Sequence, residues 1–347
     1  MVCYHPLKGH FSPENGRFVP GYTADVRLRS QIPCGSCIGC RQTYARSWAI
    51  RCMHESKSHV RKCFITLTYN DDSLPNPPSL VTKHFQDFMK RLRINFARGI
   101  SFQQQDGNIR HVFVPDGIKV YYCGEYGPRY SRRPHWHAVL FGAEFPDKTL
   151  HKRKKSGNLY RSQVLQGLWP HGFITVADLT FESAGYCARY AMKKVNGQAK
   201  KAHYQWRCPH TGHVYDLKPE HAHMSRRGGI GLDWIKRYWK DVYPSDEIIL
   251  KGNPVKPPKF YDTFLKKLDP VLYANVKRKR MDEVRVYSDV ELDAMKQHHR
   301  QRLQRLKRVY ECGDTDPFCK SSDNLLDFKD FPSYEDLFGY ERISGAD

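Results

Sequence analysis

The segment RPHWHAVLFG (133–142) places His135 and His137 one residue apart at the start of an apolar run. If this run is a β-strand, both imidazoles point to one face and Trp136 points to the other. Two imidazoles on one rigid face supply half of the ligands of a transition-metal site. The alternative is a strand with two half-exposed histidines, since the chain has 17 histidines among 347 residues.

A second segment offers an acidic group close to these histidines. Residues 117–123 (GIKVYYC) have the pattern of a strand and run into GEYGP (124–128), and a basic loop then leads to the histidine strand. This order predicts a β-hairpin that brings Glu125, at the end of one strand, towards His135 at the start of the next.

A helix with two tyrosines is predicted further along the chain. The segment ESAGYCARYAMKK (182–194) has small residues and a possible cap at Ser183. On such a helix Tyr186 and Tyr190 share one face, and Lys193 and Lys194 continue it one turn later. The two hydroxyls are candidate nucleophiles; the alternative is a pair of aromatic side chains that face the core.

The cysteines indicate metal binding rather than disulfides. The chain has eleven, an odd number, and its N-terminus shows no apolar signal core. The segment PCGSCIGCR (33–41) is a CxxCxxC motif, which suits tetrahedral zinc if a fourth ligand joins it. An iron–sulfur run begins similarly, but Tyr44 stands where its next cysteine would lie. The candidate zinc ligands are Cys34, Cys37, Cys40 and Cys3, followed by His5, Cys52 and His54; free thiols are the other interpretation.

Two weaker motifs follow the tyrosine helix. Residues 195–225 contain several possible zinc ligands at irregular spacing: Cys208, His210, His213, His221 and His223. The segment MSRRGGIG (224–231) places Arg226 and Arg227 before a predicted helix, where a Gly-rich turn could bind a phosphate.

Charge points to a polyanionic partner. Lys and Arg number 57 against 36 Asp and Glu, a net charge of +21, and the acidic residues 311–347 carry −7, which leaves about +28 on the first 310. Such a field attracts nucleic acid, and the 13% of aromatic residues suits stacking on unpaired bases. A basic membrane-surface protein is less favoured without an amphipathic anchor, and no apolar run is long enough to span a bilayer.

The remaining pattern predicts the elements that position these residues. Strands are expected at 62–69 and 171–179, and helices at 43–56, 83–96 (capped by Thr82) and 233–243. Residues 251–259 are expected to form a linker, and a polar, basic helix is expected from a cap at Ser288 to Tyr310. The acidic remainder is expected to be poorly ordered.

In this order the motifs resemble the HUH endonuclease superfamily, whose signature is His-hydrophobe-His followed by a tyrosine helix. The Tyr-x-x-x-Tyr pair is similar to that of two-tyrosine rolling-circle replication initiators. The strings CGEYG, RPHWHAVLFG, FESAGYCARYAMKK, MSRRGGIG and IPCGSCIGCR resemble the initiators of microvirus-type (gokushovirus-type) single-stranded DNA phages. The resemblance covers about residues 3–243.

The resemblance implies an α+β fold: an antiparallel β-sheet with helices packed on it, on a ferredoxin- or RRM-like plan. We expect a Cys-rich zinc-binding element in residues 1–60 and an HUH endonuclease domain in residues 61–250. The linker, the basic helix and the acidic tail occupy residues 251–347.

The resemblance also implies a metal-dependent enzyme that nicks single-stranded origin DNA through a 5′-phosphotyrosine and rejoins the strand to release a circle. Mg²⁺ or Mn²⁺ would be held by His135, His137 and Glu125, with Asp71 as second choice for the third ligand. The residues implied in catalysis are Tyr186, Tyr190, Lys193 and Lys194. The DNA-binding candidates are Arg132, Arg133, Arg226 and Arg227.

Such an initiator would work in the cytoplasm of a bacterial host, with origin DNA, a host helicase and a host DNA polymerase as partners and without a membrane. One alternative is a transposase or plasmid relaxase of the same superfamily. Another is a non-catalytic, zinc-containing nucleic-acid-binding protein whose histidines and tyrosines stack on bases.

Overall fold

The computed structural model describes residues 3–21, 23, 25, 29–127, 133–154, 157–190, 199–298 and 301. Its strands, in chain order, are β1 (Leu7–Phe11), β2 (Phe18–Pro20), β3 (Arg29–Ile32), β4 (Lys62–Tyr69), β5 (Ile100–Gln103), β6 (Ile109–Val112), β7 (Lys119–Tyr126), β8 (Pro134–Phe141), β9 (Thr149–Lys154), β10 (Gly157–Arg161), β11 (Gly172–Ala177), β12 (Gln205–Arg207), β13 (Val214–Asp216), β14 (His221–Met224), β15 (Ile248–Leu250) and β16 (Asn253–Val255). Its helices are α1 (Ile38–Ser56), α2 (Thr82–Arg98), α3 (Gln163–Leu168), α4 (Phe181–Tyr190), α5 (Ala199–Tyr204), α6 (Leu232–Val242), α7 (Lys259–Leu268) and α8 (Pro270–Asp282).

The described chain divides into two compact units. One extends from Trp48 to Arg237, and the other combines the described residues before Trp48 with those from Tyr238 onward. The predicted boundaries after residues 60 and 250 stay predictions. No described helix has the length and apolar character that crossing a membrane requires.

A seven-stranded sheet forms the centre of the first unit. Its strand order is β14-β7-β8-β4-β11-β10-β9, and every neighbouring pair is antiparallel. The three central strands β7, β8 and β4 are almost entirely buried, which explains their nearly continuous apolar sequences. The predicted α+β fold with an antiparallel sheet and packed helices is confirmed.

Helix α2 covers one face of this sheet. Its apolar residues recur at helical spacing and form a single buried stripe: Phe85, Phe88, Met89, Leu92 and Phe96. Strand residues of alternating position meet this stripe, among them Leu67 of β4, Tyr122 of β7 and Trp136 of β8. Phe85 stacks on Tyr122 with ring centroids 4.1 Å apart. This core fixes which face of each central strand is apolar.

The opposite face carries α1 and α4. Trp48 of α1 stacks on Tyr121 of β7 at a centroid distance of 4.3 Å, and Tyr186 of α4 contacts Phe64 of β4 edge-on at 6.0 Å. Because strand residues alternate between faces, the odd-numbered residues of β7 and β8, including His135 and His137, point to this side.

Local predictions fare unevenly. Thr82 does not cap α2: it is the first helical residue, Val81 occupies the cap position, and the Thr82 hydroxyl lies 3.4 Å from His221 Nε2. Ser288 does act as a cap, since its Oγ accepts a hydrogen bond from the Glu291 amide at the start of the helical residues 289–298. The basic end of that helix and the acidic tail lie largely outside the described residues.

The second unit contains the stretch that was predicted to be a linker. Residues 251–259 include part of the β15–β16 hairpin and the first residue of α7. Arg280 of α8 binds two carboxylates there, with Nη2 2.6 Å from Asp246 Oδ1 and Nη1 2.7 Å from Asp262 Oδ2. Ion pairs of this kind hold the segment in a fixed structure, which a composition-based linker prediction does not capture.

A buried carboxylate joins three parts of the first unit. Glu55 of α1 accepts a hydrogen bond from the Gly231 amide just before α6 (2.7 Å), and it lies 2.7 Å from Lys119 Nζ of β7 and 2.9 Å from His59 Nε2. Burial alone would raise the pKa of Glu55, but the hydrogen bonds from His59, Lys119 and Gly231 lower it to about 2.

We predict that Glu55→Gln removes on the order of 2–3 kcal/mol of unfolding free energy at pH 7. Since the folded pKa of Glu55 lies below the unfolded value, its contribution is complete above about pH 5 and is lost as the pH falls towards 2. Urea unfolding of both proteins across this pH range measures the difference, with Glu144→Gln, a half-buried ion-pair partner, as control. A difference that is as large at pH 3 as at pH 7 would contradict this account.

Candidate metal site and tyrosine helix

The β7–β8 pairing brings an acidic residue and two histidines together. In its register Glu125 stands directly opposite His135, and Cys123 stands opposite His137. All three side chains therefore lie on one face, as the hairpin pattern predicts. Glu125 is 1% exposed and His137 is fully buried, whereas the His135 side chain keeps 16% of its surface exposed. The group is thus buried at one side and open at His135.

The ligand atoms of these side chains converge on one point. The Nε2 atoms of His135 and His137 lie 2.7 and 2.8 Å from the same carboxylate oxygen, Glu125 Oε1. Adjacent ligand atoms around an octahedral ion with 2.1 Å bonds are about 3 Å apart, so the three groups fit a small divalent cation. Two neutral imidazoles and one carboxylate are a donor set that transition metals accept.

Neighbouring groups orient both imidazoles. His135 Nδ1 donates to the backbone carbonyl of Arg133 (3.0 Å), and a carbonyl can only accept, so this nitrogen carries the proton. In the neutral ring, Nε2 then has the free lone pair that a metal needs. His137 Nδ1 lies 3.0 Å from the Thr66 hydroxyl of β4, which stands directly opposite His137 in the β4–β8 register.

Thr66 was not among the residues predicted from the sequence. It is 4% exposed and belongs to the strand FITLTY, whose alternation places it on the face opposite to Leu67. The signal was present as a polar residue in an otherwise apolar strand. Only the pairing of β4 with β8, however, connects it to a histidine 71 positions later.

Trp136 holds the histidine strand from the other face. Its indole is fully buried, packs at 5.3 Å from Phe85, and lies over Gly124, its partner in the register. A Cβ atom at Gly124 would come within 2.6 Å of the indole ring, so only glycine fits there beside Glu125. The glycine of the CGEYG string therefore has a packing role.

The helix α4 places Tyr186 next to the histidines. The centroids of the Tyr186 and His137 rings are 4.8 Å apart in an edge-to-face arrangement. Tyr186 is 5% exposed, so it is both a core-facing aromatic residue and a neighbour of the candidate ligands. Tyr190 ends the same helix, but its side chain, like Lys193 and Lys194, lies outside the described residues.

The start of α4 differs from the prediction. Ser183 lies inside the helix, and Thr180 precedes it: Thr180 Oγ1 accepts from the Ser183 amide (3.1 Å), and Ser183 Oγ accepts from the Thr180 amide (2.8 Å). This reciprocal pair is a capping box, in which Ser183 occupies the third helical position rather than the cap.

The structure describes three of the four predicted DNA-binding arginines. Arg133 donates to the Tyr69 carbonyl (2.9 Å) and forms an ion pair with Asp71, which is exposed and does not join the histidine group. Arg226 and Arg227 are exposed, but the carboxylate of Glu55 already binds the Gly231 amide before α6, where a phosphate was predicted. Arg132 lies outside the described residues.

The four predicted cysteines form a second metal-capable group. The Sγ atoms of Cys3, Cys34, Cys37 and Cys40 all lie within 4.8 Å of one another, and those of Cys3 and Cys37 are 3.8 Å apart. Tetrahedral zinc with 2.3 Å bonds places its sulfurs about 3.8 Å apart. Gly35 has a φ of +75°, which permits the turn between the first two motif cysteines.

The protonation of these thiols favours a cation. Burial would raise the pKa of Cys34, but hydrogen bonds from the backbone amides of Cys37 and Ser36 lower it to about 6. Burial raises the pKa of Cys3 and Cys40, and neighbouring thiols raise it further. A divalent ion would offset the repulsion between the thiolates. The five scattered residues from Cys208 to His223 form no such group within the described chain.

Comparison with known proteins points to one family. A family model for replication-associated proteins of the ORF2 type matches residues 62–195, which include the metal-capable strands and α4. The chain is similar to replication-associated protein VP4 of Bdellovibrio phage phiMH2K, with 31% identity over 78% of this chain and 79% of that protein. It is 30% identical to replication-associated protein ORF2 of Spiroplasma virus 4 over 76% and 79% of the two chains.

A third relative is replication-associated protein ORF4 of Chlamydia phage 1, with 27% identity over 78% of this chain and 64% of that protein. No solved structure matches the chain.

We predict that Thr66→Val weakens binding of Mn²⁺ by about 10- to 100-fold, because His137 loses the partner that orients it. Thr66→Ser, which keeps the hydroxyl, should restore most of the affinity. Calorimetric titration measures both. Thr175→Val is the matched control, since Thr175 pairs with Thr66 in the sheet. Equal affinities for the wild type and Thr66→Val would show that the contact does not position the ligand.

Proposed function

The chain belongs to the family of phage replication-associated proteins, and from this membership we propose that it initiates rolling-circle replication by nicking and rejoining single-stranded origin DNA. The observation that carries the proposal is the convergence of Glu125, His135 and His137 on one point with the Tyr186 ring beside them. A phosphate-activating group and a nucleophile are the two components that such a transesterification needs.

The donor set fits Mg²⁺ or Mn²⁺ held by Glu125, His135 and His137. When bound, the ion supplies positive charge to the non-bridging oxygens of the scissile phosphate. The chain itself fixes the geometry: the Arg133 carbonyl and the Thr66 hydroxyl hold the two imidazoles with Nε2 directed at the carboxylate. His135, the more exposed ligand, marks the side from which DNA would approach.

The proposed nucleophile is a tyrosine hydroxyl of α4. Attack by its Oη on phosphorus forms a 5′-phosphotyrosine bond and breaks the bond to the 3′ oxygen, which takes up the proton that the phenol loses. A phenol with an ordinary pKa near 10 is mostly protonated at neutral pH, so nearby cations must favour the phenolate. Lys193 and Lys194 are proposed for this role because they follow Tyr190 on the same predicted helical face.

A second tyrosine permits rejoining. After one round of synthesis, the other hydroxyl of the Tyr186/Tyr190 pair would cut the regenerated origin. The 3′-OH released by that cut then attacks the first phosphotyrosine, closing the DNA circle and regenerating the free phenol. Because the covalent bond conserves the phosphodiester energy, joining requires no nucleotide hydrolysis.

The Cys3–Cys34–Cys37–Cys40 group is proposed to bind structural zinc. The distances between the sulfurs support four-sulfur coordination, which leaves no open position and so favours a structural over a catalytic role. Bound zinc would tie the N-terminal residues to the start of α1.

The relatives favour this proposal over its alternatives. All three are replication-associated proteins of phages, which supports replication over transposition or plasmid transfer. Host helicase and polymerase are the partners that rolling-circle synthesis would require, and the cytoplasm of the bacterial host is the proposed location. Arg133, Arg226, Arg227 and Arg132 are proposed to contact phosphates.

The test is formation of a covalent adduct. We predict that the wild-type protein, incubated with single-stranded origin DNA and Mn²⁺ or Mg²⁺, yields a protein–DNA band that survives a denaturing gel. Tyr186→Phe combined with Tyr190→Phe should abolish the band and leave the affinity for DNA within about twofold. Tyr215→Phe, which removes the hydroxyl of a tyrosine on the separate strand β13, is the control.

Two outcomes would count against the proposal. An adduct in the double variant would mean another nucleophile, and no adduct with any origin sequence from the genome would favour the non-catalytic DNA-binding alternative.

We predict about one zinc per chain after purification under reducing conditions without chelator. Cys37→Ser should lower the zinc content to well under half, because three thiolates bind zinc less tightly than four. Elemental analysis gives the metal, and Cys208→Ser is the control. A folded wild-type protein without zinc would leave free thiols as the better account.

A further inference from the structure

A basic two-stranded ribbon extends from the edge of the large sheet. It consists of β9 and β10, and residues 148–161 contain six Lys and Arg and no Asp or Glu. The metal and tyrosine site described above does not involve these residues. The sequence pattern indicated only a polar, basic insertion at this place.

The cations of the ribbon are exposed on both of its faces. Lys152 pairs with Leu159 and Arg153 with Asn158 across the hairpin, and as neighbours on one strand the two cations point to opposite faces. Both are exposed, and within the described residues neither has an ion-pair partner. Positive charge therefore surrounds the ribbon.

The base of the ribbon is held rigidly. Buried Asp147 accepts hydrogen bonds from Ser162 Oγ (2.8 Å) and from the Val164 amide (3.0 Å), which closes the two ends of the hairpin. The ring of Tyr160 lies under Lys148 at 4.6 Å, and Tyr160 pairs with Val176 of β11. A ligand bound to the ribbon is therefore held at a fixed position relative to the sheet.

Protection of a sheet edge does not explain this composition. Charged residues on an edge strand prevent pairing with other chains, and carboxylates serve that purpose as well as lysines. All six charges here have the same sign, which indicates attraction of an anionic partner rather than simple repulsion of another strand.

The ribbon fits duplex DNA better than a single strand. Single-strand surfaces use exposed aromatic rings on which bases stack, and the one aromatic ring of the described ribbon, Tyr160, is half-buried under Lys148. A two-stranded ribbon has the width that the major groove admits, and cations on both faces would meet the phosphates of both walls.

The sheet sets the distance between the ribbon and the metal site. Tyr160, Val176, Ile65 and Ala138 are successive partners across β10, β11, β4 and β8, and Ala138 follows His137. At about 4.8 Å per strand, β10 and β9 lie about 14–19 Å from β8. This distance corresponds to about four to six base pairs of duplex.

We propose that the β9–β10 ribbon binds the phosphates of duplex DNA next to the single strand that the Tyr186 site cuts. The preferred substrate is then a junction between single-stranded and duplex DNA, with the duplex beginning within about half a helical turn of the nick. This inference rests on the proposed function, because it places the duplex relative to that site.

Equilibrium binding tests the proposal. Fluorescence anisotropy without added divalent metal compares a single strand, a duplex and a junction of the same sequence. Lys152→Glu combined with Arg153→Glu should weaken binding of duplex and junction by at least about tenfold and reduce the slope of log K against log salt by about 2. Affinity for the single strand should change by less than about threefold.

The matched control is Lys266→Glu combined with Lys267→Glu, which makes the same charge change on exposed residues of α7. An equal loss in this control, or equal losses on single strand and duplex, would overturn the proposal in favour of general charge attraction. If the glutamate variant does not fold, as judged by circular dichroism, Lys152→Gln with Arg153→Gln takes its place.

The adduct assay separates the two proposals. Wild-type adduct together with unchanged duplex binding in the ribbon variant would overturn the ribbon alone. No adduct from the wild type would remove the nicking site while the duplex-binding result still decides whether the ribbon binds DNA.

Discussion

The structure depends on the register of the β7–β8 pair. Glu125 and His135 are direct partners there, and His137 follows on the same face. A shift of one residue would turn both histidines away from the carboxylate, since strand residues alternate between faces. Trp136 prevents this shift because its indole is fully buried over Gly124 on the other face. Hydrophobic packing below the sheet thus determines the polar geometry above it.

The same register creates an electrostatic need. Glu125 is almost completely buried, and burying a carboxylate without a compensating cation is costly. The two Nε2 atoms at 2.7 and 2.8 Å satisfy it only if a proton or a metal ion lies between them and Oε1. His135 is already protonated at Nδ1 by its bond to the Arg133 carbonyl, which makes Nε2 the natural metal ligand. The proposed function follows from this arrangement and from the tyrosine beside it.

Much of this site could be predicted from sequence because its parts are local. The HxH spacing, the hairpin to Glu125 and the tyrosine helix each occupy one short segment with a clear period. Thr66 and the ribbon could not be assigned, because their importance comes from strand order: β4 pairs with β8 across some 70 residues, and the hairpin extends the far edge of the sheet. Helix caps failed similarly, since Thr180 and Ser183 offer the same chemistry three residues apart.

The most direct measurement of the central claim is a crystal structure of the protein soaked with Mn²⁺, with anomalous scattering data collected at the manganese edge. The account predicts one strong peak about 2.1–2.3 Å from Glu125 Oε1 and from the Nε2 atoms of His135 and His137. A peak at this place that disappears in His137→Ala would support the site further. Saturating Mn²⁺ with no peak between these three residues, or with the strong peak elsewhere, would contradict it.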